Sequence, residues 1–262
     1  MCHSRSGAIR INTFIKKRVF MSFVRYSDAL LSAIKQSSKD QELVTKKQDI
    51  FDSIYAFHNF TPSSTLFVGF SPAILSKKNG KVSITAVSSE VIDYLKSKGI
   101  SVTYIPENEL AGKKFDVVIA MDEYFTYSSS DLDQQNTVKQ ICNLAQEFVI
   151  STLRDYKNQD FKDREFSVPA VIRNGKNSVV YNEFHDWDLS NRTNWDTTVY
   201  EVTNPDHTLT VYGPFARRTM YFKQLAKFSM DAGASDFTVH KNLMYKSLIK
   251  KNYEHVISIR FE

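Results

Sequence analysis

Acidic and aromatic side chains crowd one short stretch of this sequence, MDEYFTY, where Asp122, Glu123, Tyr124, Phe125 and Tyr127 follow the apolar run FDVVIA. A carboxylate just beyond a strand can take a proton from an acceptor hydroxyl, and rings beside it can hold a ligand cation by cation–π attraction. The same five residues also read as a core-facing aromatic pair next to a solvated acid pair. A second stretch, SSTLFVGFSPAILS, runs from an apolar strand into a turn at Gly69 and then a helix. Glycine lets the backbone turn tightly and approach a ligand, and a following helix start favours polar or anionic groups. Two further general-base candidates are Asp155, in LRDYKNQ, and His185, in NEFHDWDLSN.

Other polar clusters support blander readings. His185, Asp186 and Asp188 lie close together, but ligands usually converge from separate elements and no second cluster accompanies them, so no metal is expected. The preferred reading there is a polar loop with Trp187 packed. Arg217 and Arg218 read as a solvated basic face, as does RNGK. Cys142 sits in the helical NTVKQICNLAQ and reads as buried. No phosphate loop, nucleophilic triad or Cys/His zinc spacing is present.

The elements that must carry these residues follow from periodicity. Leu30, Leu31 and Ile34 form one short helical face, with Ser27 as its N-cap, and Leu43, Ile50, Ile54 and Phe57 form another. STLFVGF, PAILSKK, KVSITAV, SEVIDYLKSKG, ISVTYIP, FDVVIAM, DLDQQNTVKQICNLAQ and EFVISTL then alternate strand with helix, which implies crossovers and a parallel sheet. LFVGF, FDVVIAM and FVIS are apolar on both faces, as buried parallel strands must be. Beyond Leu153, one hairpin turns at Asn174–Gly175 and a second around Asn204–Pro205–Asp206. A helix over Ala216–Asp231, ended by Gly233, precedes the closing strands SDFTVH and EHVISIRF. In such sheets ligands lie beyond the carboxyl ends of the strands. Gly69–Ala73, Val87–Glu90 and Ala120–Tyr127 are therefore the candidate site segments.

The 262 residues are 42% hydrophobic and 13% aromatic, which suits a globular chain. Of the net charge of +5, six basic residues and no acid fall in residues 1–27, so the rest holds 28 basic and 29 acidic residues. That balance gives no clear nucleic-acid surface. Residues 1–26 read as a disordered basic extension, residues 27–262 as one domain. Within it, 27–60 are helical, 63–160 the nucleotide-binding half, 161–215 a β insertion and 216–262 the closing helix and strands. Residues 1–20 also suit a mitochondrial presequence or an addition before a start at Met21, and no partner for a basic arm can be named. Two cysteines fit a reducing, cytoplasmic setting, and no apolar run reaches membrane-spanning length.

The order of TLFVGFSPAIL, ITAVSSEVIDYLKSKG, FDVVIAMDEYFTY and ICNLAQEFVIST resembles the class I S-adenosylmethionine-dependent methyltransferases. The stretch FHDWD…TVYEV…LTVYGPFARRTMYFKQLAKFSMDAGASDFTV is similar to the end of their small-molecule members. The resemblance covers about residues 45–262. It implies a Rossmann-like, mostly parallel seven-stranded sheet with helices on both faces, an antiparallel last strand and an antiparallel β excursion late in the chain. It implies S-adenosylmethionine as cofactor, held by Gly69, Phe70, Ser71, Ser88, Glu90, Asp122 and Phe125. Asp122, Glu123 and His185 become the catalytic candidates toward a small-molecule methyl acceptor. The match departs from the family at two places. Phe67, Ser71 and Ala73 replace an acid and two glycines of the glycine turn, and Pro72 removes an amide donor. Ser88 stands where the family has the acid that holds the ribose, with Glu90 two residues on as a substitute. Asp116, at the start of its strand, is expected to be structural. Three readings follow: a small-molecule methyltransferase, a methyltransferase-fold protein acting as a binding or structural component, and an enzyme of this fold using another nucleotide.

Overall fold

The structure is a computed structural model that describes residues 24–36, 40–75, 80–158, 164–167, 169–188, 190, 193–246, 249 and 253–262. Most of the basic extension lies outside these residues; 24–26 belong to helix α1 (24–36). Ser27 therefore does not cap α1: it is buried inside a helix already running at residue 24. Helix α2 (Asp40–Phe57) follows and lays Phe51 edge-on to Phe67 at 6.4 Å.

Strands β1 (Ser64–Val68), β2 (Lys81–Thr85), β3 (Thr103–Tyr104), β4 (Phe115–Ala120) and β5 (Ala145–Leu153) are parallel neighbours in one sheet. With β11 (Asp236–Lys246) and β12 (Tyr253–Arg260) they give the order β11-β12-β5-β4-β1-β2-β3. The last strand, β12, is antiparallel to both neighbours, as expected. Five of six β4 residues are buried, which is why its sequence is apolar on successive positions rather than alternating. Asp116 joins β4 to β1 at their starts: its Oδ2 accepts from the Ser63 amide (2.7 Å), the Ser63 hydroxyl (2.6 Å) and the Ser64 amide (3.2 Å). These bonds are structural, and despite partial burial they hold its carboxyl below the usual range.

Between β5 and the closing strands lies a second, antiparallel sheet of β6 (Arg164–Phe166), β7 (Ala170–Asn174), β8 (Asn177–Trp187), β9 (Asn194–Asn204) and β10 (Thr208–Arg218). Here burial alternates, and Tyr181, Glu183, His185 and Trp187 share the inner face of β8. The first hairpin turns over Gly175–Lys176, with Gly175 at φ 61°, one residue later than the expected Asn174–Gly175, and the second turns over 205–207. The helix expected from Ala216 starts later. Phe215 and Arg217 alternate inward at strand period through Arg218, and α5 spans Phe222–Asp231. PAILSKK also differs from expectation, forming one 3-10 turn, Pro72–Leu75, among the described residues. The remaining helices, α3 (Ser89–Ser97) and α4 (Asp131–Cys142), follow β2 and β4 as the alternation required. Cys142 is buried, and burial pushes its thiol up to about 12.

Candidate functional site

The ends of β1, β2 and β4 lie along one edge, and the backbone there is unusual. Gly69 follows β1 at φ 83°, Ala86 follows β2 at 56°, and Asp122 and Glu123 follow β4 at 57° and 56°. A left-handed conformation costs a non-glycine residue on the order of 1 kcal/mol or more. Its clustering at one edge is a pointer to a ligand site rather than to stability.

Asp122 is buried at the tip of β4 and accepts from the Tyr245 hydroxyl through Oδ2 at 2.9 Å. Its Oδ1 is buried with no hydrogen-bond partner among the described residues, and so is Ser71 Oγ beyond the neighbouring β1. A buried polar atom without a partner costs about 1–3 kcal/mol. Two such atoms at the tips of adjacent strands are the sort that a polar ligand satisfies.

Glu123 is differently engaged. Its Oε2 lies 3.2 Å from Arg217 Nη2 and 3.6 Å from Arg154 Nη2, and its Oε1 accepts from the Tyr156 hydroxyl. Arg217 also donates to Thr126 Oγ1 at 2.8 Å and covers the rings of Tyr127 (4.6 Å) and Trp195 (5.5 Å). Burial opposes the charge of both guanidiniums, but the surrounding anionic and phenolic oxygens hold them above the ordinary arginine value. Arg217 is thus no solvated face; at 1% exposure it is, with Arg154, a cation of a buried network. Arg218 is partly exposed and pairs with Asp131 at 2.9 Å.

His185 faces the same interior from β8, with Nδ1 3.0 Å from Thr197 Oγ1 and Nε2 3.6 Å from Glu183 Oε2. Asp186 lies on the opposite face, paired with Arg164 at 3.2 Å, and Asp188 accepts from the Ser190 hydroxyl at 2.6 Å. Strand alternation therefore sets His185 on the face opposite Asp186, and Asp188 lies just past the end of β8. Trp187 is packed as expected, stacked on Trp195 at 4.3 Å, but it closes strand β8 and does not lie in the expected polar loop. Asp155 accepts from the Lys157 amide at 3.0 Å, at the start of a 3-10 turn.

The remaining expected residues divide into a floor and a rim. Phe70 and Phe125 are buried, edge-on to Tyr94 (6.2 Å) and Tyr124 (5.8 Å). The Phe70 amide donates to Ser27 Oγ at 3.1 Å, so α1 packs directly on the glycine turn. Ser88 caps α3 in position only: its hydroxyl donates instead to Asp28 Oδ1 of α1 at 2.5 Å. Glu90, two residues on in the first turn of α3, is exposed. Asp28, Leu31, Ser32, Lys35, Ser88, Ser89, Glu90 and Tyr212 line a cleft of about 420 Å³.

Sequence reasoning missed Asp28, Ser27, Arg154, Tyr156, Glu183 and Tyr245. Ser27 and Asp28 each had a signal, a polar residue within an apolar helical stretch; the others lie far from their partners in sequence and had none.

No protein-family model and no curated protein matches this sequence. Solved structures do match in fold. DesVI of Streptomyces venezuelae superposes with a TM-score of 0.62 at 13% identity, over 84% of this chain and 92% of its own. An S-adenosylmethionine-dependent methyltransferase from Clostridium acetobutylicum gives 0.61 at 13% identity, over 83% and 91%. CalS10, an amino pentose methyltransferase from Micromonospora echinaspora, gives 0.61 at 9% identity, over 82% and 89%. The chain shares the fold of these three proteins, two of them methyltransferases.

Proposed function

We propose that this protein is an S-adenosylmethionine-dependent methyltransferase acting on a small molecule, with the cofactor along the edge formed by β1, β2 and β4. One observation carries the reading: Asp122 Oδ1 and Ser71 Oγ, buried and unpartnered among the described residues, complement the ammonium and carboxylate of a methionine. Gly69 lets the backbone come close, Phe70 and Phe125 form an apolar floor, and Ser88 and Glu90 stand at the ribose end. The shared fold agrees with this use of the edge.

The bound cofactor supplies an electrophilic methyl group on its sulfonium. The chain's own part is to orient the acceptor and to keep water out. A hydroxyl acceptor also needs a base. Glu123 is committed to Arg154, Arg217 and Tyr156, and Asp122 to the cofactor, so His185, oriented through Thr197, is the base in this reading.

A specific observation favours a second reading, a methyltransferase-fold protein that binds or scaffolds without catalysis. Gly69–Ile74 and Met121–Ser128 are buried throughout, and Ser27 already holds the Phe70 amide. Titration with S-adenosylmethionine separates the two. Saturable binding that weakens about tenfold in Asp122→Asn supports the transferase. A folded protein that binds none favours the second reading.

A further inference from the structure

The antiparallel sheet turns its inner face, with Tyr181, Glu183, His185 and Trp187 of β8, toward the site. Its outer face is apolar where a solvated sheet face would be polar. Four of the ten large apolar side chains that stand exposed among the described residues lie on it: Phe166, Val171, Leu209 and Val211, at 48–63% exposure. The strand register joins them into rows. Val171, Val180, Val202 and Leu209 are successive partners across four strands. Two residues along β8, Asn182, Tyr200 and Val211 form a second row, and two residues further Phe166, Phe184 and Thr198 form a third. Phe166 lies against Phe184 with ring centres 4.8 Å apart. No charged side chain is among them. Charges stand beyond, with Arg173 at one end and Asp196 beside the Arg164–Asp186 pair at the other. An apolar centre inside a charged rim is the anatomy of a protein interface.

The face is complementary to itself. A two-fold axis laid along the Asn182–Tyr200–Val211 row reverses the strands of a second copy and sets β8 over β8. The row two residues before the axis then meets the row two residues after it, so that Val171 covers Phe166 of the second copy and Val180 covers Phe184. Val211 meets its own counterpart on the axis. Arg173 comes over the end that holds Arg164, Asp186 and Asp196, where acids are in excess. Aligned sheets pack about 10 Å apart with strands within about 30° of each other, which keeps these rows in contact. Nine residues at about 3.4 Å along β8 and four strands about 4.8 Å apart span roughly 500 Å², so two copies bury about 1,000 Å², the area at which specific interfaces begin. The free edge of β10 is broken by the bulge between Tyr212 and Phe215 and by Pro214, so the sheet presents a face rather than an edge. An anionic lipid surface fits less well, because Asp186 and Asp196 in the rim repel it.

We infer that the outer face of the antiparallel sheet binds a second copy of this chain, in a two-fold dimer whose axis runs along the row of Asn182, Tyr200 and Val211. The inner face of each sheet remains turned to its own site. The inference therefore stands apart from the transferase reading and holds whether or not the chain transfers a methyl group.

Sedimentation velocity of the full chain at micromolar concentration tests this, with Val211→Glu and Val211→Lys as the variants. Val211 is half exposed on a strand at the sheet edge, so either substitution leaves the fold intact, which circular dichroism and the melting curve check. The parent chain should sediment at twice the chain mass. Each variant alone sets like charges against each other on the axis and should weaken the dimer at least tenfold. An equal mixture of the two should sediment as a dimer again, because glutamate then faces lysine; an interface that does not place Val211 against its counterpart would not recover. A monomeric parent chain, variants that stay dimeric, or a mixture that stays monomeric overturns the inference. A monomer that floats with phosphatidylcholine vesicles also overturns it and assigns the face to a lipid surface.

Discussion

Asp122 and Glu123 adjoin in sequence, share a left-handed backbone and do different work. Asp122 keeps an oxygen in the interior with no partner among the described residues, a costly arrangement that a folded state tolerates where a ligand later completes it. Asp122→Asn keeps an acceptor for Tyr245 and removes a buried charge. It should melt at the same temperature as the parent or higher while binding the cofactor about tenfold less tightly, checked by melting and titration on one preparation. Glu123 is balanced by Arg217 and Arg154. Arg217→Met should lower stability by about 3–5 kcal/mol because it leaves the buried Glu123 carboxylate with the longer Arg154 pair to balance it, and Glu123→Gln in the same chain should recover most of the loss. Urea unfolding of both variants measures this. An equal loss in the double variant would show that Arg217 contributes by packing over Tyr127 and Trp195 and not by charge. Sequence hid this residue because Ala216–Arg217–Arg218 looks like a basic surface run. Only the strand period, which sends Arg217 inward and Arg218 outward, separates the two arginines.

At the scale of elements, apolar texture foretold most of the sheet. β1, β4 and β5 announce themselves because strands covered on both faces have no polar alternation to disguise them. The failures were at boundaries. A polar Ser27 ahead of an apolar helical face looks like a cap, yet its hydroxyl serves the Phe70 amide across the crevice. The second sheet ends at Arg218 rather than before Ala216, since two inward residues there follow strand and not helix spacing. Ser27→Ala should destabilise by about 1–3 kcal/mol, because the Phe70 amide then lacks a partner in the interior. Denaturant unfolding tests this, and an unchanged midpoint would mean that α1 is not fastened to the turn. The seam between α2 and the closing strands carries a pH dependence. His58 and His240 both approach Ser258 Oγ, at 3.0 and 2.8 Å. Burial lowers both imidazoles; Arg260 adds to this at His58 and the neighbouring histidine at His240, while Asp236 opposes. Their folded pKa values lie below the unfolded one. Their contribution is therefore present above about pH 6.5 and lost as pH falls through that range. Unfolding free energy should drop between pH 7 and pH 5, and His240→Gln should flatten that slope. A slope unchanged in the variant would remove His240 from the account.

The molecule as a whole places a strained edge, the Asp122 and Ser71 oxygens that find no partner among the described residues, and a polar cleft on the same side of a methyltransferase-type sheet. Strand order and the segments worth reading were legible in the sequence. Which side chains converge was not, because Asp122 meets Tyr245, Glu123 meets Arg217 and Ser88 meets Asp28 only after the sheets and α1 assemble. The departures at Phe67, Ser71, Ala73 and Ser88 look in sequence like the loss of a cofactor site. In the fold, Ser71 offers a hydroxyl with no partner among the described residues and Asp28 an acid beside Ser88. The most direct test is the melting temperature of the full chain with and without S-adenosylhomocysteine. A ligand at a hundredfold excess over its Kd stabilises by about 2.7 kcal/mol, which raises the melting temperature by several degrees in a chain of this size. The transferase account predicts that rise, reduced in Asp122→Asn; an unchanged melting temperature at millimolar ligand would contradict it.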